Sequence, residues 1–497
     1  MKVKRLHLQN YGRFEDLKID FAPTAEKTGN VTVIVGNNGA GKSQILQALA
    51  TSLSWFVLKL VSDTDGFEID KAIIKNGKND VEVNVLVDFG ENNPRPYGPI
   101  EDAYWTISNV KDGRINSFNN SMKELKKTVR NFQSNLTNKH NYSLPLIAFY
   151  TVDRTALVKS QADTSNKSYE QLEGYEDGLN FNSINFSNFL SWFRNAEDIE
   201  NETKNLNYNS EDMQDKIEYL MKNLSSLSNK VSQTKDPKEF ELLKNRVQEY
   251  LVEVSELQEI FQSYSRNSEY QGRRILSPIR ESITRFTNFE NIHIRRQGTP
   301  TMIVEKNGEE LDVNQLSQGE KSLLALVGDI ARRLALLNPS LDNPLEGEGV
   351  VMIDEVDLHL HPKWQHDLID KLVATFPNVQ FILTTHSPHV ISDRNDILLY
   401  SLDDGELTEM PNVYGEDANT VLTKIFDVDI RDSKVEEQFN VIRRAISKHD
   451  YLTAENYITE LAEKLPSDHL ELLKCRLLLA QSKLANNDTD ESSHAED

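Results

Sequence analysis

Apolar residues in this chain follow three different spacings, and each spacing predicts a different kind of element. Nearly unbroken apolar runs occupy residues 31–35, 144–149, 350–353 and 379–383. Short runs rich in Val and Ile are typical of strands buried on both faces of a parallel sheet. Residues 3–21, 81–87 and 103–107 instead alternate or contain turn signals, which predicts half-exposed strands of an antiparallel lobe. The fold class is therefore α/β, with a mixed sheet, covering helices and an antiparallel β-lobe.

The segment from 197 to 270 has apolar residues three and four positions apart. The stripe comprises Ile217, Leu220, Leu224, Leu227 and Val231 on one arm, and Phe240, Leu243, Val247, Tyr250, Val254, Leu257 and Phe261 on the other. Lys235-Asp236-Pro237 separates the arms, and proline suits the first turn of a following helix. Two heptad stripes around a turn predict a short antiparallel coiled-coil insertion. At 1.5 Å per residue, the 213–233 arm spans about 30 Å.

The C-terminal part of the chain returns to a helical spacing from about residue 418. Apolar residues around Phe439 and Tyr451, followed by the Leu-rich run 470–484, predict a tetratricopeptide-like pair of helices. A pair this short needs another surface to cover its apolar faces. The predicted domains are an α/β head from residues 1–196 and 271–412, an inserted hairpin at 197–270, a helical region at 413–485 and a disordered acidic tail at 486–497.

Composition limits the possible partners and compartment. The chain has 497 residues, a formal net charge of −23 and one cysteine, Cys475. An acidic chain cannot bind nucleic acid through its overall charge, so any contact with DNA has to be local or made by a partner. A disulfide framework is excluded within one chain, and no apolar run approaches the roughly 20 residues of a spanning helix. We therefore expect a cytoplasmic protein with no membrane partner.

A glycine-rich loop follows the first apolar run and precedes a helical stretch. Its residues are Gly36, Asn37, Asn38, Gly39, Ala40, Gly41, Lys42 and Ser43, which fit G-x-x-x-x-G-K-[ST]. Glycines allow backbone N–H groups to surround phosphates at a helix N-terminus, Lys42 adds a positive charge, and the Ser43 hydroxyl is a ligand for Mg²⁺. A strand, this loop and a helix in succession predict an ATP and Mg²⁺ site. Tyr11 or Phe14 in the lobe are candidates to stack on the adenine, unless they belong to the core.

Two further motifs appear in the second half of the chain. Asp354 and Glu355 follow the buried run 350–353, and the carboxyl end of a parallel strand is where α/β proteins bind ligands. Ser317, Gln318, Gly319 and Glu320 open a long helical run that reaches Leu337, which makes a second anion-binding helix N-terminus. Each pattern is weak alone. The glycine loop, this motif and the paired acids in that order are far more specific.

That order of motifs resembles the ABC-type ATPases of the recombination and chromosome-maintenance branch, which includes Rad50, RecF and the SMC proteins. The resemblance covers residues 1–160 and 270–400. It implies that Asp354 is a magnesium ligand, that Glu355 is the general base for the attacking water and that His386 is the switch histidine. It also implies a head-to-head homodimer, alone or within a higher homo-oligomer, in which Ser317 and Gly319 close on the nucleotide of the other protomer.

The Leu-His-Pro and Thr-His-Ser-Pro stretches, with residues 189–193 and the helical C-terminus, are similar to the ATPase subunits (PtuA) of Septu and retron-associated antiphage systems. This similarity implies a separate HNH-type nuclease as partner. The alternatives are a DNA-repair ATPase that binds DNA directly and an overcoming-lysogenization-type ATPase with its own Toprim nuclease. The last is disfavoured because Asp427-Val428-Asp429 lacks the accompanying glutamate.

For several residues the sequence leaves two interpretations open. The arginines between 273 and 296 and the basic segment 123–130 are either a local DNA-binding surface or ordinary charged faces, with salt bridges slightly favoured for the arginines. Asp357, His359 and His361 suggest a second metal only weakly. No glutamine is assignable to the metal-contacting loop of the family, and the cluster ending at Arg154 is the candidate substitute.

Overall fold

The structure is a computed structural model of the chain. It divides into two compact units, Met1–Gly415 and Glu416–Asp497. The residues that it describes are 1–90, 102–111, 122–138, 142–152, 170–179, 186–234, 237–267, 272–298, 300–392, 394–411, 413–425, 433–466 and 469–493. Arg154, the Asp427–Asp429 segment and the 235–236 part of the predicted turn therefore lie outside the described residues.

Thirteen strands and thirteen α-helices are assigned within this part of the chain. The strands are β1 (Lys2–Tyr11), β2 (Phe14–Asp20), β3 (Val31–Gly36), β4 (Asp80–Asp88), β5 (Asp102–Val110), β6 (Leu146–Tyr150), β7 (Glu290–Arg295), β8 (Thr301–Lys306), β9 (Glu309–Asp312), β10 (Gly349–Ile353), β11 (Val379–Thr384), β12 (Leu398–Asp403) and β13 (Glu406–Glu409). The helices are α1 (Lys42–Ser62), α2 (Lys123–Asn138), α3 (Phe186–Gln233), α4 (Pro237–Asn267), α5 (Gly272–Thr287), α6 (Gln318–Leu337), α7 (Pro362–His366), α8 (Leu368–Thr375), α9 (Pro388–Ile391), α10 (Ala418–Ile425), α11 (Ser433–Ser447), α12 (Tyr451–Lys464) and α13 (Leu470–Ser493).

A six-stranded sheet forms the centre of the first unit, in the order β13-β12-β3-β11-β10-β6. Strands β12, β3, β11, β10 and β6 run parallel, and only β13 is antiparallel. Every residue of β3, β6, β10 and β11 is buried, which is why these strands are almost uninterrupted apolar runs. Because parallel strands end at the same edge, the residues that follow β3, β10 and β11 meet there.

The N-terminal lobe is a four-stranded antiparallel sheet in the order β2-β1-β4-β5, as the alternating pattern predicted. Asn10 and Gly12 have positive φ angles of 53° and 56°, which allow the tight turn between β1 and β2. Tyr11 and Phe14 are both buried in the lobe. Burial of both rings favours the core alternative over stacking on adenine, and Phe14 packs against the glycine loop, where a Cβ on Gly41 would lie 2.7 Å from its ring.

The inserted hairpin consists of α3 and α4, and α4 begins at the proline predicted for its first turn. Leu220 and Val254 are buried between the helices, and Lys216 lies 3.5 Å from Glu253 across them. These contacts agree with antiparallel helices whose apolar stripes face each other; coiled-coil packing stays a prediction. The proposed boundary at residue 197 falls within α3, since the helix starts in the head and continues into the hairpin without interruption.

The base of the hairpin is tied to the head by charged groups. Arg280 of α5 donates to Glu197 and Glu200 of α3 at 3.0 and 2.9 Å, and Arg296 contacts Glu197 at 3.0 Å. Arg285 donates to the carbonyl of Ala374. These arginines form part of the segment considered for DNA binding, and their intramolecular partners favour the salt-bridge interpretation instead; the side chains of 273 and 274 lie outside the described part.

Helix α1 corrects one expectation about apolar runs. It has 21 residues and is apolar enough to span a membrane by length and composition. Most of its apolar side chains are buried in the head, where the helix packs against the central sheet behind the glycine loop. A core helix of a globular domain has the same composition, so the helix gives no support for a membrane-spanning segment.

The second unit contains α10 to α13. Helices α11, α12 and α13 pack around a common core formed by Phe439, Ile442, Ala445, Ile446, Ala454, Ile458, Leu461, Leu472, Cys475 and Leu479. Phe439 lies in this core and Tyr451 packs against it, as the helical spacing around them predicted, whereas the tetratricopeptide-like arrangement stays a prediction. Helix α13 continues to Ser493 and so passes the predicted end at 485. Adding residues to an existing helix costs much less free energy than nucleating a new one.

Candidate functional site

The glycine loop joins β3 to α1 at the carboxyl edge of the central sheet. Gly36, Gly39 and Gly41 have φ angles of 151°, 75° and 108°, so the loop adopts backbone conformations that L side chains rarely take. A Cβ on Gly36 would lie 2.1 Å from the carbonyl oxygen of Leu402 in β12. The loop is therefore pressed against the neighbouring strand, which leaves Asn37, Asn38 and Gly39 exposed at the start of α1.

Lys42 is buried within this loop. Its ammonium group donates to the carbonyl oxygens of Gly36 and Asn37 at 2.9 and 3.1 Å. Burial lowers the pKa of Lys42, although the carboxylates of Asp354 and Glu355 act in the opposite direction. A negatively charged ligand beside the ammonium group would offset the cost of burying it.

Asp354 and Glu355 follow β10, and Thr384 at the end of β11 connects them. The Thr384 hydroxyl donates to Asp354 Oδ1 at 2.5 Å and accepts from the Glu355 N–H at 2.7 Å. Glu355 has a φ of 46°, a left-handed conformation that is unusual for a non-glycine residue and marks functional loops. Sequence analysis named the two acids but missed Thr384, whose role depends on strand order.

His386 lies two residues beyond β11 and completes a pocket with the glycine loop. This pocket is lined by Asn38, Gly39, Gly41, Lys42, Ser43, Gln44, Glu355 and His386. Burial and the nearby Lys42 ammonium lower the pKa of His386, which favours the neutral imidazole. The structure therefore brings together the predicted phosphate loop, the predicted base and the predicted switch histidine within one protomer.

The loop after Glu355 uses its polar residues for internal contacts. Thr385 donates to Asp357 Oδ1 at 2.5 Å, and the imidazole of His361 accepts from the Lys363 N–H at the start of α7. Among the residues that the structure describes, no three His, Cys, Asp or Glu side chains come together as a metal site. The second metal considered for Asp357, His359 and His361 therefore has no geometric support.

The motif of Ser317, Gln318, Gly319 and Glu320 begins α6. Ser317 is the N-cap, and its hydroxyl and the Glu320 carboxylate form a capping box. Ser317 and Gln318 are exposed, whereas a Cβ on Gly319 would lie 2.4 Å from the His359 carbonyl oxygen. All four are described residues, and none of them lines the pocket of Lys42 and Glu355. Ser317 and Gln318 are thus presented to solvent, whereas Gly319 packs on the loop that follows Glu355.

Arg13, in the turn between β1 and β2, is a site residue that sequence analysis missed. Its guanidinium donates to the Gly39 carbonyl oxygen and lies 3.3 Å from Asp404 Oδ1. The lobe, the glycine loop and the β12–β13 turn therefore meet at one arginine. Only the fold reveals this contact, because Arg13 and Asp404 are 391 positions apart.

These features together define the class. A parallel sheet carries a glycine loop, a buried lysine and a pair of acids at one edge, and an exposed second helix N-terminus precedes the acids, as in ABC-type P-loop ATPases. The family model of the AAA ATPase domain, AAA_15, matches residues 1–391, and the chain belongs to this family of ATP-hydrolysing proteins.

Curated relatives extend this assignment over most of the chain. The "Retron Vc95 probable ATPase" of Vibrio cholerae serotype O1 biovar El Tor is 36% identical over 410 residues, which cover 79% of this chain and 71% of that protein. The "Retron Ec83 probable ATPase" of Escherichia coli is 32% identical, covering 94% and 82%. "Septu protein PtuA" of Bacillus thuringiensis is 31% identical over 27% of this chain and 36% of that protein. The similarity to retron and Septu ATPases expected from the sequence is confirmed.

Proposed function

We propose that this chain is the cytoplasmic ATPase subunit of an antiphage defence system and that it controls a separate HNH-type nuclease. The names of the retron and Septu relatives support the assignment to a defence system. The observation that carries the ATPase role is the pocket that unites Lys42, Glu355 and His386. Control of a nuclease by ATP requires that the nucleotide state alters a surface to which the partner is bound.

The loop from Gly36 to Ser43 would hold the phosphates of ATP, and Mg²⁺ would be held by Ser43, which lines the pocket, and Asp354, which is buried next to the pocket residue Glu355. Both assignments fit the residues present. The N–H groups of the loop lie at the N-terminus of α1, and a hydrogen bond from Thr384 holds the Asp354 carboxylate in place. Mg²⁺, when bound, neutralises charge on the β- and γ-phosphates. Glu355 would orient and deprotonate the attacking water, and His386 would contact the γ-phosphate.

A head-to-head homodimer would complete this site. Ser317 and Gln318 are exposed outside the protomer's own pocket, and a helix N-terminus attracts anions. Ser317 would thus approach the nucleotide held by another protomer. Hydrolysis itself would need two protomers, and a higher homo-oligomer would serve to arrange several nuclease subunits.

The second unit offers a surface for the nuclease partner. Leu470, Leu473, Leu477 and Leu484 recur at heptad spacing on α13, on a face other than that of the buried Leu472, Cys475 and Leu479. Leu477 and Leu484 are 60% and 66% exposed. An exposed row of leucines at this spacing is typical of a helix that packs against a partner.

The leucine row gives the first prediction. Replacing Leu477 and Leu484 with Glu should weaken binding of the nuclease encoded beside this chain by at least about tenfold, because central apolar residues dominate interface energies. Isothermal titration with the purified nuclease would measure the affinity. Arg476→Glu, an exposed change of charge about 100° around the same helix from Leu477, is the control and should bind normally. Equal affinity for all variants, with circular dichroism unchanged, would rule out α13 as the docking surface.

The same proposal requires that this chain does not cut DNA on its own. Incubating the purified chain with plasmid, ATP and Mg²⁺ or Mn²⁺ should give no cleavage, and adding the nuclease should give it. Metal-dependent cleavage by the chain alone would overturn the division of labour between the two subunits.

Direct DNA binding is a second candidate function, and helix α2 is the observation that favours it. Lys123, Lys126, Lys127 and Arg130 are exposed on one face of α2. Among the described residues none of the four has a carboxylate within ion-pair distance, whereas Arg280, Arg295 and Arg296 all do. Unpaired cations on one helix face are free to contact phosphates, even in a chain of net charge −23.

The α2 face gives a further prediction. Lys126→Glu with Lys127→Glu should weaken DNA binding and lower the slope of log K against log[salt] by about two, since each phosphate contact contributes about one. Fluorescence anisotropy at several salt concentrations would measure both. Lys18→Glu is the control: it reverses an exposed charge on β2, at the other edge of the lobe sheet from β5, against which α2 packs. Unchanged affinity and slope in the α2 variant would show that α2 does not contact DNA, so that any DNA contact would have to come from the partner.

A further inference from the structure

The N-terminus of α6 contains a carboxylate at the place where the proposed dimer would bring a phosphate. Glu320 is 6% exposed, and one of its oxygens accepts from both the N–H and the hydroxyl of Ser317, at 2.9 and 2.7 Å. The Ser317 hydroxyl is therefore held by a negatively charged group. An uncompensated negative charge here would repel an approaching phosphate and weaken the helix N-terminus as an anion site.

The other oxygen of Glu320 faces Lys306. The Lys306 ammonium donates to Glu320 Oε1 at 2.6 Å, from the end of β8. Asn307 and Gly308, with φ angles of 55° and 80°, make the two-residue turn to β9, and this turn fixes the strand end that carries Lys306. The contact is partly buried, since Lys306 is 40% exposed.

Other cations in this region are committed elsewhere. The neighbouring Lys321 ammonium donates to the carbonyl oxygen of Asn314 at 2.7 Å, and Arg295 of the same small sheet lies 3.4 Å from Asp312. The neighbours of Lys306 in the hairpin are both acidic: Glu305 precedes it in β8, and Glu309 pairs with it in β9. Lys306 is thus the cation whose removal would leave Glu320 uncompensated.

We propose that Lys306 is a positioning residue for ATP hydrolysis, which neutralises Glu320 and thereby lets the α6 N-terminus, capped by Ser317, attract the nucleotide of another protomer. This inference rests on the proposed two-protomer site. It makes the small sheet of β7, β8 and β9 part of the catalytic assembly. The positive charge of Lys306 in the β8–β9 hairpin, and not the shape of the hairpin alone, then determines how well two heads close on ATP.

The test uses steady-state ATP hydrolysis by the full chain. Lys306→Met keeps the aliphatic stem but removes the charge, and we expect KM for ATP to rise and kcat/KM to fall by about tenfold. Lys306→Arg should retain most of the activity. Adding Glu320→Gln to Lys306→Met should restore kcat/KM to within about threefold of the parent, because no unpaired charge remains and the amide oxygen still accepts from Ser317.

Thermal unfolding of the same variants separates charge from folding: at an assay temperature well below every Tm all variants are folded, so a lower kcat/KM reports on the site and not on the folded fraction. Lowering the pH should also improve Lys306→Met relative to the parent, as the unpaired Glu320 becomes protonated more readily. Arg295→Met is the control for loss of a cation from the same sheet and should stay near parental activity. If Lys306→Met equals the parent while Ser317→Arg is inactive, the inference fails and the two-protomer proposal stands. If Ser317→Arg is itself fully active, the two-protomer proposal fails.

Discussion

Glu355→Gln should bind ATP with parental affinity and hydrolyse it about 100- to 10,000-fold more slowly, which is the range that a general base contributes. The side chain keeps its shape and loses only the charge that would accept a proton from water. Its backbone N–H would still donate to Thr384, so the left-handed conformation of the loop is retained. Equilibrium binding of labelled ATP and phosphate release measure the two properties separately.

Two variants make this prediction specific to Glu355. Asp357→Asn changes a second acid of the same loop, whose carboxylate is bonded to Thr385, and should reduce hydrolysis far less. Thr384→Val removes the hydroxyl that joins Asp354 to the Glu355 N–H and should raise the Mg²⁺ requirement about 10- to 100-fold, as loss of supporting groups around metal ligands commonly does. Parental turnover by Glu355→Gln would show that another group activates water.

The parts of the site that lie in single stretches of sequence could be predicted. The glycine loop, the acids after β10 and His386 each follow a buried strand, so their meeting at one sheet edge follows from the rule for parallel strands. The pairing order itself was not accessible. Strand β11 lies between β3 and β10, and this order is what gives Thr384 contact with both acids.

Residues whose function depends on distant contacts were missed for the same reason. Arg13 reaches the glycine loop only because β1 and β2 fold over it, and its contact with Asp404 requires β12 and β13, which the apolar pattern had not revealed. The β8–β9 hairpin had a local signal in Asn307-Gly308, the most reliable short turn sequence. Recognising that turn would have placed Lys306 near the start of α6, although not its bond to Glu320.

The inserted helical hairpin of α3 and α4 shows a different limit of sequence patterns. Heptad spacing located the facing stripes of α3 and α4, yet α3 begins at Phe186 inside the head. Its first turns bury Phe189 and Phe193 against the domain and leave Glu197 paired with two arginines. Periodicity detects where a helix has a partner, but it does not show where one partner replaces another along a continuous helix.

Mixing two inactive variants should restore ATP hydrolysis if each site is shared between protomers. Lys42→Ala removes the buried ammonium group from the glycine loop, and Ser317→Arg places a bulky side chain on the exposed cap of α6. Each variant alone should retain less than about 1% of parental activity, a loss of about 3 kcal/mol in transition-state stabilisation. In a mixed dimer, however, one site combines the intact loop of one chain with the intact Ser317 of the other.

Random mixing would produce mixed dimers in about half of the population, each with one intact site, so activity should recover to about a quarter of the parent. The structure supplies an exact counter-pair: Lys42 and Glu355 line one pocket of the same protomer, so Lys42→Ala mixed with Glu355→Gln leaves both sites defective and should not recover. Native mass spectrometry would verify that both mixtures contain mixed dimers. Recovery in the second mixture, or its absence in the first, would mean that Ser317 and Lys42 do not belong to complementary halves of one site.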